Sequence, residues 1–131
     1  MNQYTKAYSS TATYSGVAYA DPHSLITQMF DGALKRIAQA RGCLERKEYA
    51  AKGENISHAI AIIGSLEGCL NLEKGGELAT NLSSLYEYMV IKLAEANVNN
   101  DTSKLNEVIS LILEIKSAWV QIAPHQTQKA G

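Results

Sequence analysis

Apolar residues recur every three or four positions along most of the chain, and they fall into four separate stripes. The first runs through Ile26, Met29, Phe30, Ala33, Ile37, Ala40 and Leu44, and the second through Ile56, Ala59, Ile63, Leu66 and Leu70. The third carries Leu78, Leu82, Leu85, Met89, Leu93 and Ala96, and the fourth Val108, Ile112, Ile115, Trp119 and Ile122. This spacing is that of amphipathic helices, and no segment alternates with period two over the length of a strand. The stripes predict an all-α antiparallel up-down four-helix bundle over residues 21–123, with helices at about 22–45, 48–71, 77–97 and 102–122. Asp21-Pro22 is a helix start, because Asp caps well and Pro at the first position gives up an amide that has no partner there. Gly75-Gly76 reads as a break between the second and third helices, and Asn97-Val98-Asn99-Asn100-Asp101 as a turn ending in a cap. The short connections make successive helices antiparallel.

Residues 1–20 break the pattern. They are rich in Ser, Thr, Ala and Tyr and show no sustained helical period, which reads as a flexible N-terminal arm. Yet Tyr4, Tyr8, Tyr14 and Tyr19 lie there, four of the seven tyrosines of the chain. Such an arm is either a tail with incidental tyrosines or a segment that docks on an apolar surface. Residues 124–131 form a polar tail.

The stripes are wider than a simple bundle needs. With successive residues about 100° apart, Ile109, Leu113 and Val120 flank the fourth stripe on one side and Leu111 on the other. In the third helix Tyr86 and Val90 lie on one flank and Tyr88 and Ile91 on the other, and Ile62 lies beyond the second stripe. A core-facing helix needs an apolar sector of only about 100° or somewhat more. Either the bundle is skewed and buries the surplus internally, or the surplus lines a groove that a partner fills.

Composition narrows the function. With 131 residues, 46% apolar and 19% charged, the chain is one domain that can bury a core without metal or disulfides. Its net charge of -1 provides no footprint for nucleic acid, and the basic residues of the first helix read as a solvated face. No apolar run is long enough for membrane insertion or a signal peptide, so the chain is expected in the cytoplasm. Cys43 and Cys69 have no C-x-x-C spacing and are expected to be reduced.

No catalytic, metal or cofactor site is legible. Glu54 and His58 occur once, in Glu-x-x-x-His spacing, whereas di-metal bundles use Glu-x-x-His on two helices. His58 as a phosphate acceptor would want a lysine in the following turn to steady the phosphoryl group, and none is there. His23 and His125 show no nucleophile or acid arranged with them. Gly75-Gly76 has neither the spacing nor the preceding strand of a nucleotide fingerprint, and Trp119 falls on the core stripe.

The segments DPHSLITQMFDGALKRI (21–37), AKGENISHAIAII (51–63), LEKGGELATNLSSLYEYM (72–89), EANVNND (95–101) and EVISLILEIKSAW (107–119) together resemble the FliS family of flagellar secretion chaperones. EKGGELATNL followed by LYEYM is the most specific match, and the resemblance covers most of residues 20–122. It departs at Asp21, where family members commonly carry Ser, and at Arg46-Lys47-Glu48, where many carry a Gly-Asp turn; the arm matches only through Lys6-Ala7-Tyr8. The resemblance implies a cytoplasmic, non-enzymatic bundle that binds the C-terminal segment of flagellin, prevents premature polymerisation and presents it to the flagellar type III export gate. An anti-sigma factor is the alternative client. The residues expected to meet a partner are Tyr8, Ile62, Tyr86, Tyr88, Val90, Ile109, Leu113 and Val120.

Overall fold

A computed structural model describes residues 21–122 of the chain; the arm with Tyr8, and residues 123–131, lie outside the described residues. Four helices account for nearly all of it: α1 (Pro22–Glu45), α2 (Tyr49–Gly68), α3 (Leu72–Asn99) and α4 (Thr102–Gln121). They pack in a ring, α1 on α2, α2 on α3, α3 on α4 and α4 back on α1, which is the antiparallel up-down four-helix bundle expected from the stripes.

Each turn is written in the local chemistry. The Asp21 carboxylate accepts the Ser24 amide at 2.9 Å and starts α1, with Pro22 in its first turn. At the other end of α1, the Lys47 amide donates to the Leu44 carbonyl (3.1 Å) and the Glu48 amide to the Cys43 carbonyl (2.8 Å). These two bonds form a Schellman closure, with Lys47 at φ 61° where glycine is the usual occupant. Asn71 accepts the Lys74 amide at 2.9 Å and caps α3, and Asp101 accepts the Ser103 amide at 3.0 Å and caps α4.

Three helix boundaries differ by more than one residue from the sequence expectation. The third helix ends at Asn99 rather than 97, so Asn97, Val98 and Asn99 are helical and the turn is left to Asn100 and Asp101. The second helix ends at Gly68 rather than 71, and the third begins at Leu72 rather than 77. Asn71 is the reason: as an N-cap it starts a new turn, so it cannot also continue α2. The helix break does occur at the glycine pair, but inside α3. Gly76 adopts φ 55°, ψ -134°, which displaces the first turn, Leu72–Gly75, from the axis of the rest of the helix.

Phe30, Met29, Ile37, Ile56, Ile63, Met89, Leu93, Leu105 and Ile112 fill the middle of the ring and are almost wholly buried. Lys52 is the one buried charge among the described residues. Its Nζ donates to the Asn97 carbonyl (2.8 Å) and to Asn100 Oδ1 (2.6 Å), so the α2 lysine closes the C-terminal end of α3, where unpaired carbonyls and the helix dipole favour a cation.

Candidate binding groove

The start of α1, the end of α2, the start of α3 and the end of α4 meet at one end of the bundle. They do not close over one another there. The kink at Gly76 sets the first turn of α3 off the axis of the rest of that helix, and the four helix ends border an apolar groove of about 800 Å³. Phe30 and Ile26 of α1, Leu66 of α2, Leu78 and Leu82 of α3, and Ile115 and Trp119 of α4 line it. Among the lining residues, Asn71, Lys74 and Glu114 are polar, with the Cys69 thiol and the Tyr86 phenol beside them. Leu72, Leu78 and Ile122 stand around this end with more than half of their surface exposed.

Gly75 is required by this geometry. A Cβ at that position would lie 2.6 Å from the Ala79 Cβ, closer than packed carbons tolerate, so only glycine lets the displaced turn fold back against α3. The α1–α4 side of the opening is held by a pair of residues. His23 and Trp119 rings stack with centroids 4.4 Å apart and 7° between planes. His23 Nε2 donates to the Trp119 carbonyl (2.6 Å), and Trp119 Nε1 donates to the His23 carbonyl (3.1 Å). Trp119 is therefore both an anchor of the bundle end and part of the groove wall.

The residues expected to meet a partner fall into three groups. Ile62 and Tyr86 are buried, and Val90 and Ile109 are half-buried against the core. For Ile62 the skewed-bundle explanation holds: α2 is gripped by α1 and α3 on either side, so its wide apolar sector is internal. Tyr86 is buried but its ring also forms part of the groove wall. Burial, with a smaller contribution from Cys69, pushes its phenol up to about 12. Tyr88, Leu113 and Val120 are exposed, outside the groove. Tyr88 donates to Glu107 across the α3–α4 seam at 2.5 Å, and Lys92 Nζ sits 5.2 Å from its ring centroid. Leu113 and Val120 share a helical face with Lys116, which pairs with Asp31 of α1 at 2.5 Å, so they flank the α1–α4 seam instead.

Sequence reasoning missed most of the groove wall. Ile26, Phe30, Leu66, Leu82, Ile115 and Trp119 lie on the core stripes, which place them in the interior. The one signal that could have exposed them is Gly75-Gly76: a glycine pair next to a cap pulls a turn away and uncovers whatever lay beneath.

An all-helical bundle with an apolar groove of this size is suited to holding apolar surface. The sequence matches the family described as flagellar protein FliS over residues 2–126. It is 51% identical over 114 residues to flagellar secretion chaperone FliSB of Pseudomonas aeruginosa, covering 87% of this chain and 90% of that protein. It is 48% identical over 120 residues to flagellar secretion chaperone FliS of Salmonella typhimurium, covering 91% and 89%, and 34% identical over 107 residues to that of Bacillus subtilis, covering 82% and 79%. The chain belongs to the FliS family, a family of flagellar chaperones and not of enzymes.

Proposed function

We propose that the protein is the cytoplasmic export chaperone of flagellin: it holds the disordered C-terminal segment of flagellin on its apolar surface, prevents premature polymerisation, and delivers the client to the flagellar type III export gate. The observation that carries this reading is the open groove at the bundle end. Its lining of Leu, Ile, Phe and Trp suits the apolar face of a short helix, recognised through anchors at three- and four-residue spacing. The exposed Tyr88, Leu113 and Val120 extend apolar surface along the α3–α4 and α4–α1 seams, as a client that wraps the bundle would use it. The described chain begins at Asp21, two residues from the His23–Trp119 pair. In this proposal the arm with Tyr8, joined to the chain at that point, covers part of the site until the client displaces it.

Titration calorimetry with a peptide covering the last 40 or so residues of flagellin tests the reading. Coupled folding onto an apolar surface gives one-to-one binding with a large negative heat-capacity change. No binding at tens of micromolar overturns it. Binding of a flagellar anti-sigma factor in its place would make regulation the main role.

A further inference from the structure

The other half of the bundle carries a second depression, and its chemistry is opposite to that of the groove. It lies between the C-terminal half of α1 and the N-terminal half of α2, with a volume of about 610 Å³, and shares no residue with the groove. Lys35, Arg36, Gln39, Cys43, Arg46 and Asn55 line it, and no carboxylate does. Three cations thus face one hollow in a chain whose net charge is -1.

The cations are placed rather than scattered. Arg36 Nη1 donates to Asn55 Oδ1 of α2 at 3.2 Å, a bond that takes one of the five guanidinium donors. Arg46 is folded back along α1: its Nη1 would lie 3.1 Å from a Cβ at position 42, so Gly42 makes the room, and its Nη2 reaches Cys43 Sγ at 3.7 Å. The only acid on it is Glu48, at 2.9 Å, and that ion pair is more than half exposed and easily exchanged for another carboxylate. Lys35 is exposed at the mouth.

We propose that this basic hollow docks an acidic segment of a partner protein, at a site separate from the groove and able to be occupied together with it. The Arg46 head is drawn back over Gly42 and the Arg36 head to Asn55, which also reaches Cys43 Sγ at 3.9 Å, so two guanidinium groups border one hollow with Lys35 exposed beside them. A segment with carboxylates at alternate positions, which share one face of an extended chain, can meet these charges together. Guanidinium groups suit carboxylates through paired donors. A nucleic-acid strand would need its phosphates neutralised along a longer basic track than these three cations supply.

The test is fluorescence anisotropy of the full chain with a labelled peptide of about eight residues alternating Glu and Gly, and with its Gln–Gly counterpart. The Glu peptide should bind at about 20 mM salt and weaken several-fold by about 150 mM. Lys35→Glu/Arg36→Glu, which also removes the Arg36–Asn55 bond and is checked for helicity, should weaken it about tenfold or more, and the exposed change Lys35→Glu alone, like Arg46→Gln, by several-fold with Tm unchanged. A flagellin C-terminal peptide at saturation should leave Glu-peptide binding unchanged. The proposal is overturned if the Gln peptide binds as well, if the double variant binds like the parent, if no binding appears up to millimolar peptide, or if the flagellin peptide competes. A single-stranded oligonucleotide that binds more tightly than the Glu peptide also overturns it, in favour of nucleic acid.

Discussion

His23 and Trp119 hold each other by three contacts at once: their rings stack at 4.4 Å, and each residue's side-chain N–H donates to the other's backbone carbonyl. The two residues are 96 positions apart, so this pair joins the first turn of α1 to the last turn of α4. The Trp119 carbonyl also accepts the Ile122 amide at 3.2 Å, so the imidazole takes the second acceptor position of a terminal carbonyl of α4. Trp119→Phe keeps part of the stack and removes the indole donor, and should cost about 1 kcal/mol in urea unfolding. His23→Ala removes the stack and the other hydrogen bond and should cost more than Trp119→Phe. Equal stability of both variants and the parent would mean that the bundle end is held by other contacts.

Gly76 sits at a positive φ with ψ -134°, a combination that side chains avoid. Gly76→Ala should therefore lower stability by about 1–3 kcal/mol. The displaced turn of α3 borders the groove, so client affinity should fall as well, even at temperatures where the variant is fully folded. An unchanged affinity in the folded variant would show that the first turn of α3 has no part in binding.

Lys47 pays a conformational cost at φ 61° that glycine would not. Its side chain is exposed, so nothing is lost with it. Lys47→Gly should raise stability by about 0.5–1 kcal/mol, as less left-handed strain outweighs the greater freedom of the unfolded glycine. A lower Tm would mean that the unfolded-chain entropy dominates.

Tyr86 makes stability depend on alkaline pH. Burial raises its folded pKa to about 12 against an ordinary value of 10.0, so the folded state keeps the proton that the unfolded chain releases. The contribution is fully present below pH 10 and is lost as pH rises from there through about 12, amounting to about 2–3 kcal/mol at the most. Absorbance at 295 nm should show one tyrosine ionising late, and Tyr86→Phe should remove that phase and flatten the stability profile between the two values. A Tyr86→Phe protein with an unaltered alkaline profile would place the dependence elsewhere.

Leu113 and Ile62 separate surface from core. Leu113 is half exposed and Ile62 only 3% exposed. Leu113→Asp should change stability by no more than about 0.5 kcal/mol while weakening client binding if the α4–α1 seam belongs to the client surface. Ile62→Ala should cost about 2–5 kcal/mol. Intact client affinity in Leu113→Asp would restrict the client to the groove and the α3–α4 seam.

The helices, their order and the all-α class were legible because a 3.6-residue repeat leaves a helix one way to bury its stripe, and because Asp21, Asn97–Asp101 and the glycine pair act within a few residues of themselves. The width of the stripes was legible too, as a surplus that had to go somewhere. Where it went was decided only by the ring of helices. Ile62 is internal because α1 and α3 both grip α2, whereas Leu113 and Val120 stay exposed because they lie where α4 turns away from the core. The groove residues Phe30, Leu82 and Trp119 carry the same local signature as any core residue. Whether they are covered depends on the direction of one displaced turn and on a contact between residues 23 and 119. Periodicity reports which side of its own helix a residue occupies; only packing reports what stands opposite that side.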